Sequence, residues 1–159
     1  SSWAGVPEKY LRDLPYPPSL LTRDQADRII AESKARMAAA EGSADSEAIT
    51  RAVEDYLATP DSDVGAEIAV AAAWADDHGI PRSRLLLGEF GAVHTPDEVT
   101  QPLEWYRAFL SDKRAASEKA GIGWAVLSWA GGMGVAIPED PDRRLAPETC
   151  RALGLPCGN

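Results

Sequence analysis

The chain has 159 residues, 45% of them hydrophobic and 26% charged, a composition that supports one ordinary domain with a packed core. Its formal net charge of −9 argues against nucleic acid and against anionic membrane surfaces, both of which reward basic patches. The longest apolar run, Ile68 to Ala75, is far too short to span a bilayer.

Residues 1–21, with Trp3, Pro7 and Leu14-Pro15-Tyr16-Pro17-Pro18, read as a loop, interrupted at most by one helical turn near Glu8–Arg12. Thr22 then suits the cap of a helix reaching about Glu41, with Gln25 completing a capping box and Gly42 as the stop. A second helix is predicted over residues 46–58, ending before Pro60, and a third over 63–78, closed by Gly79. One stripe of that third helix carries Ala66, Ala69, Val70 and Ala73, small side chains suited to close packing.

A strand is predicted over 84–90, followed by a loop through His94, Thr95 and Pro96. A helix over 101–120 aligns Leu103, Tyr106 and Leu110. Gly121 and Gly123 bracket the turn into a second strand, 124–129, and the loop Gly131-Gly132-Met133-Gly134 follows. A further loop, 138–144, leads to a short helix over 146–153, stopped by Gly154. Short apolar strands separated by a helix predict a parallel βαβ unit. Leu85, Leu86 and Leu87 make both faces of the first strand apolar, so both are expected to be covered. Two strands leave edges unsatisfied, and the expectation is that further strands are supplied elsewhere.

Glu89 stands out. It closes an apolar strand between two glycines, in Leu87-Gly88-Glu89-Phe90-Gly91. A carboxylate at the mouth of a buried strand is costly without a role or a partner, and catalytic carboxylates of barrel enzymes occupy such C-terminal strand ends. The alternative is a carboxylate that caps a helix or pairs with an arginine. Carboxylate-pair chemistry requires a second such group, and the sequence has no second strand-end carboxylate.

Cys150 and Cys157 allow either a short-loop disulfide or two thiols, and their spacing decides neither. Two cysteines without clustered histidines argue against structural zinc. The glycine loop at 131–134 lacks the lysine of a phosphate-binding loop, and no serine has a nucleophile-elbow context. His78, at a helix end, reads as structural, and Trp74, Trp105 and Trp124 read as packing.

The motif Leu87-Gly88-Glu89-Phe90-Gly91, followed by Ala120-Gly121-Ile122-Gly123-Trp124-Ala125, Ser128-Trp129-Ala130-Gly131-Gly132-Met133-Gly134 and Ala152-Leu153-Gly154-Leu155, resembles glycoside hydrolase family 5, the cellulase-like retaining enzymes. The resemblance implies an α/β fold that is part of a (β/α)8 TIM barrel. Residues 1–159 would be the C-terminal fragment of one catalytic domain. Residues 1–21 would form an active-site-face loop, and 22–78 helices. Residues 84–90 would be strand seven, 101–120 a helix, 124–129 strand eight and 146–153 the last helix.

It further implies an endo-β-1,4-glucanase-like hydrolase, with Glu89 as nucleophile and no metal or other cofactor. The acid/base glutamate belongs to strand four, for which this sequence has no counterpart, so the chain alone is expected not to complete the reaction. The expected partners are a β-linked oligo- or polysaccharide and the missing N-terminal part of the barrel. Localisation is not readable from the chain's start; the resemblance implies a secreted or periplasmic bacterial enzyme.

One departure stands in the strand-eight position where the family usually places a sugar-stacking tryptophan: this chain has Leu127. Alternation puts Trp129 on the same side as Leu127, so Trp129 is a candidate replacement platform. Trp3, in the first loop, and His94, close behind strand seven, are further candidates for substrate contact. A different class of reading follows from Leu127 and the missing half-site, namely a non-catalytic carbohydrate-binding or assembly module.

Overall fold

The computed structural model describes residues 10–42, 46–92, 102–131, 133–137 and 140–157. They are mostly helical, with one small parallel sheet, and the chain divides into two compact units, Ser1–Asp61 and Ser62–Asn159.

The first unit is built on two helices, α1 (Arg23–Glu41) and α2 (Ser46–Ala58). Both follow the predicted bounds, because the start signal is local and complete. The Thr22 hydroxyl accepts from the Gln25 amide at 3.3 Å, and the Gln25 side chain accepts from the Thr22 amide at 2.9 Å. Leu21, Ala26, Ile29 and Val53 are buried between the helices, with Tyr56 and Leu57 against them. Tyr10, Met37 and Ile49 form a second buried group. The first loop, predicted to be irregular here, holds a short 3-10 turn, Pro18–Leu20. Pro18 suits it, since its fixed φ matches a first helical position. The loop is tied down by the Tyr56 hydroxyl, which donates to the Pro15 carbonyl at 2.6 Å, and by Ser19, whose amide and hydroxyl both donate to Asp61.

The second unit contains α3 (Ala66–Asp77), β1 (Leu86–Phe90), α4 (Leu103–Ala120), β2 (Gly123–Val126) and α5 (Pro147–Leu153). The strands pair in parallel, as the βαβ pattern predicted. Leu87 and Phe90 turn toward a core of Tyr106, Leu110, Val135, Ala152 and Leu153. On the α3 side, Ile68, Ala72 and Ile122 are buried, with Leu85 and Leu87 against them.

Four expectations fail here, each for an identifiable reason. The predicted face of α3 is the wrong one. Ile68, Ala72 and Ala75 are buried, whereas Ala66, Ala69, Val70 and Ala73 are exposed, Val70 at 71%. An alanine-rich helix offers several stripes at helical spacing, and branched Ile68, packing on Ile122, selects among them.

Leu86 is 65% exposed, although both strand faces were expected to be covered. Among the described residues, α3 and α4 pack on the face carrying Leu85 and Leu87, and no element covers the other.

The strands are also shorter than predicted. Arg82–Arg84 form a 3-10 turn before β1. β2 stops at Val126 because Ser128 and Trp129 bond instead to Val135 and Ala136 in the loop that follows.

Trp74 is likewise not a packing residue in the ordinary sense. It is 49% exposed and stacks on His78, with ring centroids 4.7 Å apart. His78 itself ends α3 as expected, its Nδ1 lying 2.8 Å from the Trp74 carbonyl oxygen.

Candidate active site

Parallel pairing brings the C-terminal ends of β1 and β2 to one edge of the sheet. Leu87 pairs with Trp124 and Phe90 with Val126, so β1 advances one residue more than β2 over the same interval. This is the count of a β-bulge, and bulges re-aim side chains at sheet ends. It lets Leu87 and Phe90 both face the core despite their odd spacing. Gly88 and Glu89 are left exposed.

Among the described residues, Glu89 has neither a hydrogen-bond nor an ion-pair partner. It caps no helix and pairs with no described arginine. Sequence reasoning set those two roles against the catalytic one.

The two strand ends are locked by their backbones. The Leu127 amide donates to the Phe90 carbonyl at 2.8 Å. Gly91 follows directly, and a Cβ there would collide with the Leu127 carbonyl oxygen and lie 3.3 Å from the Met133 methyl. Glycine is required because backbone meets backbone, which a side chain would prevent. The Leu127–Ser128 peptide bond is cis.

Beyond Leu127 the chain folds back on itself. The Ser128 amide donates to the Met133 carbonyl at 3.2 Å, the Val135 amide to Ser128 at 3.0 Å, and the Ala136 amide to Trp129 at 3.0 Å. The Ser128 hydroxyl donates to the Ala130 carbonyl at 2.6 Å. This ladder presents Trp129 to solvent, 56% exposed, with its carbonyl held by the Ala136 amide. Leu127 is half-buried. At Gly134 the close neighbour is Ala130 of the same loop, whose backbone would lie 2.6 Å from an added Cβ.

Trp124 is half-buried and meets Phe90 edge-on, with ring centroids 5.9 Å apart, as its core assignment required. Trp3 and His94, the other candidates for substrate contact, lie outside the described residues. Among the described residues, no group of three or more His, Cys, Asp or Glu side chains is placed to hold a metal ion.

Sequence reasoning missed Tyr106. From α4 its hydroxyl donates to the Met133 carbonyl at 3.3 Å and reaches the Gly134 carbonyl at 3.5 Å, so one buried phenol supports the loop carrying Trp129. The helical stripe predicted its burial, but nothing local announces the partner of its hydroxyl.

Burial pushes the Tyr106 phenol up to about 12. An unfolded tyrosine titrates near 10. The folded form holds its proton more tightly, so this contribution to stability is complete below about pH 10 and is lost as pH rises through about 12. Urea midpoints measured from pH 9 to 12 are expected to fall for the wild type. They are expected to fall less for Tyr106→Phe. Equal falls would show that Tyr106 does not titrate with folding.

No protein-family model matches the chain, and no curated protein does. Two solved structures do. One is a hyperthermophilic endo-β-1,4-glucanase in complex with substrate, at 22% identity and a TM-score of 0.47. The other is an endoglucanase, at 18% identity and a TM-score of 0.47. Each match covers 59% of this chain and 28% of the other, so the chain spans little more than a quarter of the structures it matches.

Proposed function

We propose that this chain carries the nucleophile half of a retaining, endo-β-1,4-glucanase-like glycosidase, with Glu89 as the nucleophile. The observation that carries the reading is Glu89 itself: an exposed carboxylate, without a partner among the described residues, at the C-terminal end of a parallel strand and aimed outward by a bulge. The sequence resemblance to glycoside hydrolase family 5 assigns the nucleophile to this position.

In the reaction, a Glu89 carboxylate oxygen attacks the anomeric carbon and the glycosidic C–O bond breaks. The leaving oxygen takes a proton from a second carboxylic acid. Water then attacks the same carbon, with that second group now acting as base, and Glu89 departs. Retention requires the two carboxyl groups roughly 5–5.5 Å apart. The second belongs to strand four of a complete (β/α)8 barrel, outside this sequence. Trp129 offers an indole face beside the strand ends for the apolar face of a pyranose.

The test is covalent trapping with a 2-deoxy-2-fluoro glycoside in the whole protein, which should label Glu89.

Leu127 favours a second reading, a carbohydrate-binding module without catalysis, since a leucine gives no stacking face at the usual platform position. Under that reading oligosaccharide binds, no adduct forms, and strand four carries no carboxylate.

A further inference from the structure

Cys150 and Cys157 form a disulfide, the outcome their spacing left open, with Cα atoms 5.8 Å apart. The two halves sit in opposite environments. Cys150, on α5, is 1% exposed, while Cys157, in the tail, is exposed.

α5 is only 7 residues long, too short to be helical alone, yet it buries Thr149, Cys150, Ala152 and Leu153. Leu153 and Ala152 belong to the same core as Phe90, the residue after Glu89, and Tyr106, the support of the Trp129 loop. One further tie holds the helix: Arg114 Nε, on α4, donates to the Ala152 carbonyl at 3.1 Å. The Leu155 amide closes the helix's own C-terminus on the Cys150 carbonyl at 2.9 Å.

We infer that this disulfide is a redox latch. While closed it keeps α5 seated under the strand end that bears Glu89, and its reduction is slow for as long as α5 holds Cys150 in the core. The inference rests on the packing of α5 and does not need the glycosidase reading.

The chemistry follows from the asymmetry. An external thiolate reaches only the Cys157 sulfur. Its attack forms a bond to that sulfur and breaks the bond to Cys150, whose sulfur carries away the electron pair and then takes a proton from water. A second thiol of the same reductant then displaces Cys157 and leaves as a cyclic disulfide. A thiolate released into a nearly dry core is a poor leaving group. Reduction of the folded protein is therefore slow unless α5 opens first. Disulfides persist in oxidising compartments, so the latch is closed in a secreted or periplasmic protein and opens in a reducing one.

The experiment uses the wild-type protein with dithiothreitol as the probe. Reduction is followed by alkylation and mass spectrometry, with and without urea below the unfolding midpoint. Reduction in native buffer should be at least about tenfold slower than that of a short exposed disulfide peptide, and should accelerate with urea. After reduction, amide exchange should rise in α5 and at Phe90.

Loop entropy for so short a ring gives an unfolding constant on the order of 50- to 100-fold larger once the bond is gone. The variant Cys150→Ala/Cys157→Ala checks that figure. If the variant does not fold, the wild-type kinetics alone decide. Reduction at the peptide's rate, independent of urea, or unchanged exchange at α5 and Phe90, overturns the inference.

Discussion

Gly91→Ala is expected to destabilise the Ser62–Asn159 unit by about 3 kcal/mol, at the upper end for overpacking. The added methyl meets the Leu127 carbonyl oxygen, a backbone atom that has no rotamer to adopt. Relief requires the strand ends to separate. That breaks the Leu127 N–H to Phe90 carbonyl bond and draws Phe90 from its core. The ladder from Ser128 to Ala136 begins one residue later, so the Trp129 loop shifts as well.

Gly88→Ala is the internal control. An added Cβ there meets nothing within 4 Å, and the change should stay within about 0.5 kcal/mol. Urea unfolding of both variants is the check. Equal stabilities would mean that the two strand ends are not packed as described.

Glu89→Gln is expected to lower kcat in the whole protein by about 10⁴-fold or more, because an amide cannot form the glycosyl-enzyme and the two-step route is lost with it. Stability should not fall with activity. Among the described residues Glu89 is exposed and has no partner, so no ion pair or buried hydrogen bond is removed. That separation distinguishes a nucleophile from a structural carboxylate, whose loss would move the unfolding midpoint. Retained activity, or a destabilisation above about 1 kcal/mol, would contradict the assignment.

The elements legible in the sequence are those whose causes are local. Thr22 and Gln25 fix the start of α1 within four residues of chain, and the reciprocal hydrogen bonds are present as predicted. The two apolar strands with a helix between them announce their parallel pairing, because a parallel connection needs such a crossover.

What was illegible depends on partners distant in sequence. Which face α3 buries is set by Ile122, beyond α4. Where β2 ends is set by Val135 and Ala136 competing for Ser128 and Trp129. The bulge that turns Glu89 outward arises from the register between two strands and leaves no mark in either alone. Tyr106 read as a core residue, and only the fold gives its hydroxyl the carbonyls of Met133 and Gly134.

The candidate site divides the same way. Glu89 was singled out by its setting at a glycine-flanked strand end, and Trp129 by alternation along a strand that in fact stops at Val126. The exposure of Trp129 therefore comes from the loop ladder and not from the pleat that suggested it.

The most direct test is peptide mapping of the whole protein after inactivation by a 2-deoxy-2-fluoro β-cellobioside with a good leaving group. The prediction is a single added fluorocellobiosyl group on the peptide containing Leu87-Gly88-Glu89-Phe90-Gly91, with the ester bond at Glu89. An adduct on any other carboxylate, or turnover of β-glycosides with no adduct at all, would contradict the claim that Glu89 is the nucleophile.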